Sequence, residues 1–212
     1  MSGDLGEVSL EGTGRSTARA VEGLRTGFTA ARPILTCFLI VWMFVSAAVP
    51  TPAAQHIADE YRVKAAFVFR FPQFVEWPPA SLAGRKSLDL CVLGPNPFGK
   101  VLDELVQGET LDGRTLLVRH LTAGAAATGC HVLYLADGPA TPRRPILQRV
   151  ATAPVLTISD APAFLDEGGI IQLRVVGNRV RFDINAEAAR QAGLRLSSQV
   201  LRLAITVRGG PS

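Results

Sequence analysis

Cysteine, histidine and tryptophan are scarce in this chain, with three, three and two among 212 residues. No cysteines stand at C-x-x-C spacing, and His56, His120 and His131 lie far apart. A structural zinc site takes four ligands, usually in close pairs, so no metal centre is expected, the Cys130-His131 neighbours included. No G-x-S-x-G elbow is present, and nothing around Cys130 supplies the partnered histidine and oxyanion donors that a thiolate nucleophile needs. Asp160, Asp183 and Glu187 read as turn and helix-start carboxylates. No catalytic residue and no cofactor is expected. Basic residues are not interleaved with aromatics, which argues against a nucleic-acid partner. Internal repeats, low-complexity tracts and linkers are also missing. No apolar run reaches the roughly 20 residues of a permanent membrane span.

One shorter apolar run is present. A polar start containing Arg15, Arg19, Arg25 and Arg32 leads into ILTCFLIVWMFV, residues 34–45, and then into SAAVPTPAAQ. A positive leader, a short apolar stretch and a small-residue exit are the parts of a secretory signal peptide, with Ser46-Ala47-Ala48 fitting the cleavage rule. The leader also carries Asp4, Glu7, Glu11 and Glu22, unusual for such a segment, which leaves an early start codon or a retained N-terminal membrane anchor as alternatives. The expected organisation is a signal peptide over 1–48 and one exported domain over 49–212. Cleavage would leave eighteen basic and fourteen acidic residues. The excess is concentrated in residues 141–212, which hold ten arginines against five acids.

The remaining chain alternates between two periods. HIADEYRVKAAFVFRFPQFVEW has apolar residues at helical spacing (Ile57, Tyr61, Val68, Phe71, Val75), which predicts one long helix that Pro72 kinks or restarts after Phe71. Strands follow at Ser87–Gly94, Arg114–Leu121, His131–Ala136 and Pro154–Asp160, with helical KVLDELV and TPRRPILQRVA between them. IIQLRVVGNRVRFDIN reads as a hairpin turning at Gly177-Asn178, with Arg179, Arg181 and Asp183 on a wet face. Two helical stretches separated at Gly193 end the chain. The fold class predicted is α/β: a single domain with a mixed, mostly parallel sheet of about five to six strands, flanked by helices, with a C-terminal β-hairpin and terminal helices.

Gly94-Pro95-Asn96-Pro97-Phe98-Gly99-Lys100 has the G-x-x-x-x-G-K spacing of a phosphate-binding loop between a strand and a helix. Val101 replaces the magnesium-binding hydroxyl, and Pro95 and Pro97 lack the N–H groups that cradle phosphate. It reads as a turn with Phe98 tucked beneath it.

Removal of the leader leaves Cys91 and Cys130, and two cysteines in an exported chain read as one disulfide. The blocks YRVKAAFVFRFPQFVEWP, LCVLGPNPFG, CHVLYLA, PVLTISDAPAFLDEGGIIQL and VRFDINAEAARQAGLRLSSQVLRLA together resemble the YfiR family of small periplasmic proteins, over about Ile57 to Val207. The resemblance implies a regulator that binds the periplasmic sensor region of an inner-membrane diguanylate cyclase and represses it. Envelope or redox stress and an OmpA-like outer-membrane lipoprotein would relieve that repression, and a homodimer is compatible with it. It also implies a disulfide at Cys91 and Cys130, spaced by 39 residues. Two departures stand out: no second cysteine pair follows Cys130, and Pro72 occupies a position usually friendlier to helix. Candidate partner-binding residues are Phe67, Phe69 and Phe98, with Arg174 and Arg181 on the hairpin. A periplasmic small-ligand binding module feeding a sensor or transporter is the alternative reading.

Overall fold

The structure is a computed structural model that describes residues 52–210 apart from 123 and 140. The expected signal peptide, residues 1–48, and its cleavage site lie outside the described residues.

Helix α1 runs from Pro52 to Arg70 and buries Lys64, Ala65, Val68 and Phe69. It stops earlier than its sequence period suggests. Pro72 offers no N–H to a carbonyl one turn back and crowds the preceding turn. The chain therefore tightens into a 3-10 turn over Phe71–Phe74 and leaves it extended at Val75. Val75 and Glu76 (β1) pair with Leu196 and Arg195 (β9, Arg195–Leu196) instead of continuing the helix. Ile57, placed on the core face by its spacing, is 56% exposed, because the first turns of α1 overhang the sheet's core.

The elements that follow are α2 (Pro79–Leu82), β2 (Ser87–Leu93), α3 (Val101–Val106), β3 (Thr110–Leu111), β4 (Arg114–Leu121), β5 (Val132–Leu135), α4 (Arg143–Val150) and β6 (Leu156–Ser159). The hairpin β7 (Ile171–Val176) and β8 (Arg179–Asn185) precedes α5 (Ala186–Gln191), β9, α6 (Ser198–Leu203) and β10 (Val207–Arg208). The main sheet is ordered β10-β8-β7-β6-β5-β2-β4-β3. Only β3–β4 and β7–β8 are antiparallel, so the sheet is mixed and mostly parallel, and six of its strands have four or more residues. β5 and β6 are buried at every position, as strands covered on both faces must be. One face packs Leu88, Leu90, Val92, Tyr134 and Ile158 against α1 and α3. The other packs Cys91, Leu93, Leu133 and Leu135 against Ile146 and Leu147 of α4 and against Phe164.

Gly177 and Asn178 both have positive φ, 56° and 60°, which a two-residue hairpin turn of the favoured hand requires. Asp183 departs from the wet-face expectation. It is 7% exposed, because the body of β8 is covered on both faces, and it is reached by Arg174 (Nε to Oδ2, 3.0 Å).

Candidate functional site

The loop after β2 goes to α3 and the loop after β5 goes to α4, so the sheet changes winding direction between these neighbours. In open α/β sheets the crevice beyond such strand ends is the usual ligand site. Here the chain's own side chains fill it. Phe98 is 3% exposed, with its ring 4.6 Å from that of Tyr134 and 6.2 Å from that of Tyr61. Asn96 caps the loop internally, accepting from the Phe98 N–H (3.0 Å) and donating to the Gly99 carbonyl (2.8 Å). The phosphate-loop spacing is thus a packed turn, as its prolines implied. A Cβ at Gly94 would meet Thr141 Oγ1 at 2.5 Å, with φ at +97°. Gly94→Ala is therefore expected to destabilise the domain by about 1–3 kcal/mol, read as a lower urea midpoint at unchanged slope.

Beneath that plug lies a buried polar cluster. Asp160, just past β6, accepts from Lys64 Nζ (2.6 Å), Tyr61 OH (2.9 Å) and Tyr134 OH (2.7 Å). The Lys64 and Asp160 side chains are only 5% and 7% exposed, and Glu60 also reaches Lys64, at 2.5 Å. Burial alone would push Asp160 up. The hydrogen bonds from Lys64, Tyr134 and Tyr61 and the lysine charge outweigh it, so the carboxyl titrates below its ordinary range. Burial lowers Lys64, but bonds to Asp160 and Glu60 hold it above its ordinary value. Burial, then the Asp160 charge, pushes Tyr61 up to about 12 and Tyr134 up as well. Asp160 is thus no ordinary turn carboxylate: it ties α1 to the sheet. A lysine among Tyr61, Ala65 and Val68 on the apolar stripe of α1 was the sequence signal for a buried ion pair.

At the opposite ends of the strands, Cys91 and Cys130 are bonded, with Cα atoms 5.8 Å apart. β2 and β5 are neighbours, which brings the two residues together, and the bridge is buried in the second core layer. The Cys130 sulfur is therefore not a nucleophile. His131 beside it accepts from the Asp89 N–H at Nδ1 (3.0 Å), and burial holds its pKa below the ordinary value, so the ring stays neutral at pH 7. A cleft of about 630 Å³ opens beside the bridge, lined by Arg85, Gly129, Cys130, His131, Arg149 and Pro154. Among the described residues no three metal-ligating side chains converge.

The proposed partner-binding residues do not form one surface. Phe69 and Phe98 are core, 6% and 3% exposed, because both point inward from elements that cover the sheet. Phe67 is half-buried and stacks on Phe71 (5.7 Å) and against Phe182 (5.6 Å). It lines an apolar groove of about 190 Å³ with Val63, Ala66, Phe182, Val200 and Leu203. Val63 and Leu203 are 45% and 58% exposed, and Ile205, whose N–H bonds the Phe182 carbonyl, is 46% exposed. Arg174 and Arg181 face each other across the hairpin ladder, on the sheet face opposite Phe182. Val63, Leu203 and Ile205 were missed in the sequence. The one signal, for Val63, was that α1 has apolar residues beyond a single stripe, Val63 and Phe67 as well as Ala65 and Val68.

Residues 61–205, with the plug, the bridge, the groove and every strand of the sheet but β10 included, match the family described as YfiR/HmsC-like. The chain belongs to the YfiR/HmsC-like family. The family is a regulatory rather than a catalytic one, and membership implies a periplasmic regulator of a diguanylate cyclase. Among solved structures, the chain is similar to a conserved domain protein from Vibrio cholerae O1 biovar El Tor, at 14% identity and a TM-score of 0.47. The similarity covers 70% of this chain and 60% of that one. Among the described residues, no helix of this YfiR/HmsC-like protein is long and apolar enough to cross a membrane.

Proposed function

We propose that the protein is exported to the periplasm and represses an inner-membrane diguanylate cyclase by docking on its periplasmic sensor region, under envelope or redox control. The apolar groove carries this reading. Val63, Phe67, Phe182 and Leu203 form a concave apolar patch beside exposed Ile205, in a chain whose family regulates such cyclases. A cavity of about 190 Å³ seats one or two apolar side chains of a partner, the kind of anchor that dominates interface energetics. The remaining area of a stable complex, typically about 1,200–2,000 Å² in total, would come from the surfaces around it. An OmpA-like lipoprotein competing for the same groove would release the cyclase, and the buried Cys91–Cys130 bridge would link the domain's integrity to the redox state of the envelope. A homodimer through this groove would compete in the same way.

Leu203→Asp and Val63→Asp place a charge where the partner's anchor would sit. Each is expected to lower capture of the cyclase in an envelope crosslinking experiment by about thirtyfold or more. Both positions are exposed, so the melting curve should stay within about 0.5 kcal/mol of wild type. Undiminished crosslinking of the cyclase by both variants would remove the groove from the interface. The cleft of about 630 Å³ rimmed by Arg85 and Arg149 favours a second reading, a small-ligand module feeding a sensor. It predicts a thermal shift with an anionic metabolite that Arg149→Glu abolishes.

A further inference from the structure

The β7–β8 hairpin carries side chains that neither the core nor the groove uses. Its base is anchored by buried Ile171, Leu173, Phe182 and Ile184. Its tip is bare: every residue from Arg174 to Arg179 is exposed, with Val175 and Val176 at 42% and 45%. The register sets Arg174 opposite Arg181 and Val176 opposite Arg179, so these four share one face, and Val175 and Val180 share the other. Like charges directly opposite on a ladder repel, so the arrangement is unfavourable to the isolated fold. Arg174 is neutralised by Asp183. Among the described residues, Arg179 and Arg181 make no ion pair.

Two exposed valines at a tip that also carries two arginines without an acidic partner suit a lipid surface, where apolar tips enter the headgroup boundary and guanidinium groups meet phosphate. Valines on both faces of the tip favour a fluid surface that surrounds it over a protein groove that meets one face.

We propose that the β7–β8 tip docks on an anionic phospholipid bilayer, with Arg179 and Arg181 on lipid phosphates and Val175 and Val176 in the headgroup–acyl boundary. The inference goes beyond regulation of a cyclase and does not need it. It gives the domain a fixed orientation at the membrane.

The test is co-sedimentation of the protein recovered from the envelope with phosphatidylcholine vesicles, with and without phosphatidylglycerol. Binding is expected only when phosphatidylglycerol is present, and it should weaken as salt shortens the Debye length. Each arginine removed should lower binding about fivefold, so R179Q/R181Q should lose about twenty-five-fold. V175S/V176S should also weaken it. The control K86Q/R195Q removes the same charge at exposed positions away from the tip and should bind as wild type does. Unchanged melting temperatures check that all variants are folded. No binding to the phosphatidylglycerol vesicles overturns the proposal. So does an equal loss in the K86Q/R195Q control, which would mean net charge alone. If R179Q/R181Q keeps its vesicle binding but loses cyclase capture, the tip serves a protein partner and the proposal also fails.

Discussion

Asp160→Asn is expected to destabilise the domain by about 3–5 kcal/mol, the range for removing one partner of a buried ion pair. The variant keeps the shape of the side chain and leaves the lysine charge behind. Lys64, 5% exposed on its side chain, would retain only Glu60, while Tyr61 and Tyr134 would exchange a carboxylate acceptor for an amide oxygen. Domains of this size are stable by only about 5–15 kcal/mol, so the loss would be a large fraction of the whole. The double variant Lys64→Met/Asp160→Asn removes both deeply buried charges, leaves only the more exposed Glu60 without its lysine, and should recover part of it. The double-mutant cycle then reads the coupling directly.

The same cluster sets the pH limits. Asp160 is held below its unfolded value, so its contribution is present above about pH 4 and is lost as pH falls through the folded value. Tyr61 is raised from 10.0 to about 12, so the folded state holds its proton longer, and stability falls as pH rises through that window. Urea midpoints measured across pH should decline at both ends in the wild type. In Asp160→Asn the acid decline should flatten.

Cys130→Ser is the second large expected effect. The bridge closes a loop with a sequence separation of 39 residues, worth roughly 4 kcal/mol on the chain-entropy account. For a domain of this length that is roughly 8–16 °C in melting temperature. Both cysteines are nearly fully buried, 1% and 5% exposed, against Leu93, Leu133 and Ile146, so the serine hydroxyl would also lack the partners it had in water. Wild type melted with and without reductant should reproduce most of the Cys130→Ser shift, and reductant should not move the variant. A shift smaller than about 2 °C would show that the bridge does not hold the fold. The apolar groove lies on the other sheet face, so loss of the bridge is expected to reduce cyclase repression through the population of folded protein.

Much of the central sheet was legible. β4 runs over the predicted stretch, Arg114–Leu121, and β2, β5 and β6 fall within their apolar runs, because strong β residues sit there between glycine and proline turns. The two-residue strands β1, β3, β9 and β10 were not legible, since two residues carry no period and their pairing is decided by what the fold brings alongside. The end of α1 was misread because Phe71, Phe74 and Val75 continue the helical spacing beyond Pro72, and the backbone constraint of proline prevailed. The disulfide followed from cysteine count, compartment and family resemblance together. The groove was only partly legible. Phe67, Phe69 and Phe98 are the same residue type in similar surroundings, and only the packing of α1 against β8 and α6 leaves Phe67 in the groove.

The most direct test of the regulatory account is cyclic di-GMP in cells lacking this protein, complemented with wild type or with Leu203→Asp. The account predicts that the nucleotide rises on deletion, returns to its starting level with wild type, and stays high with Leu203→Asp present at equal abundance. A level that does not rise on deletion would contradict it.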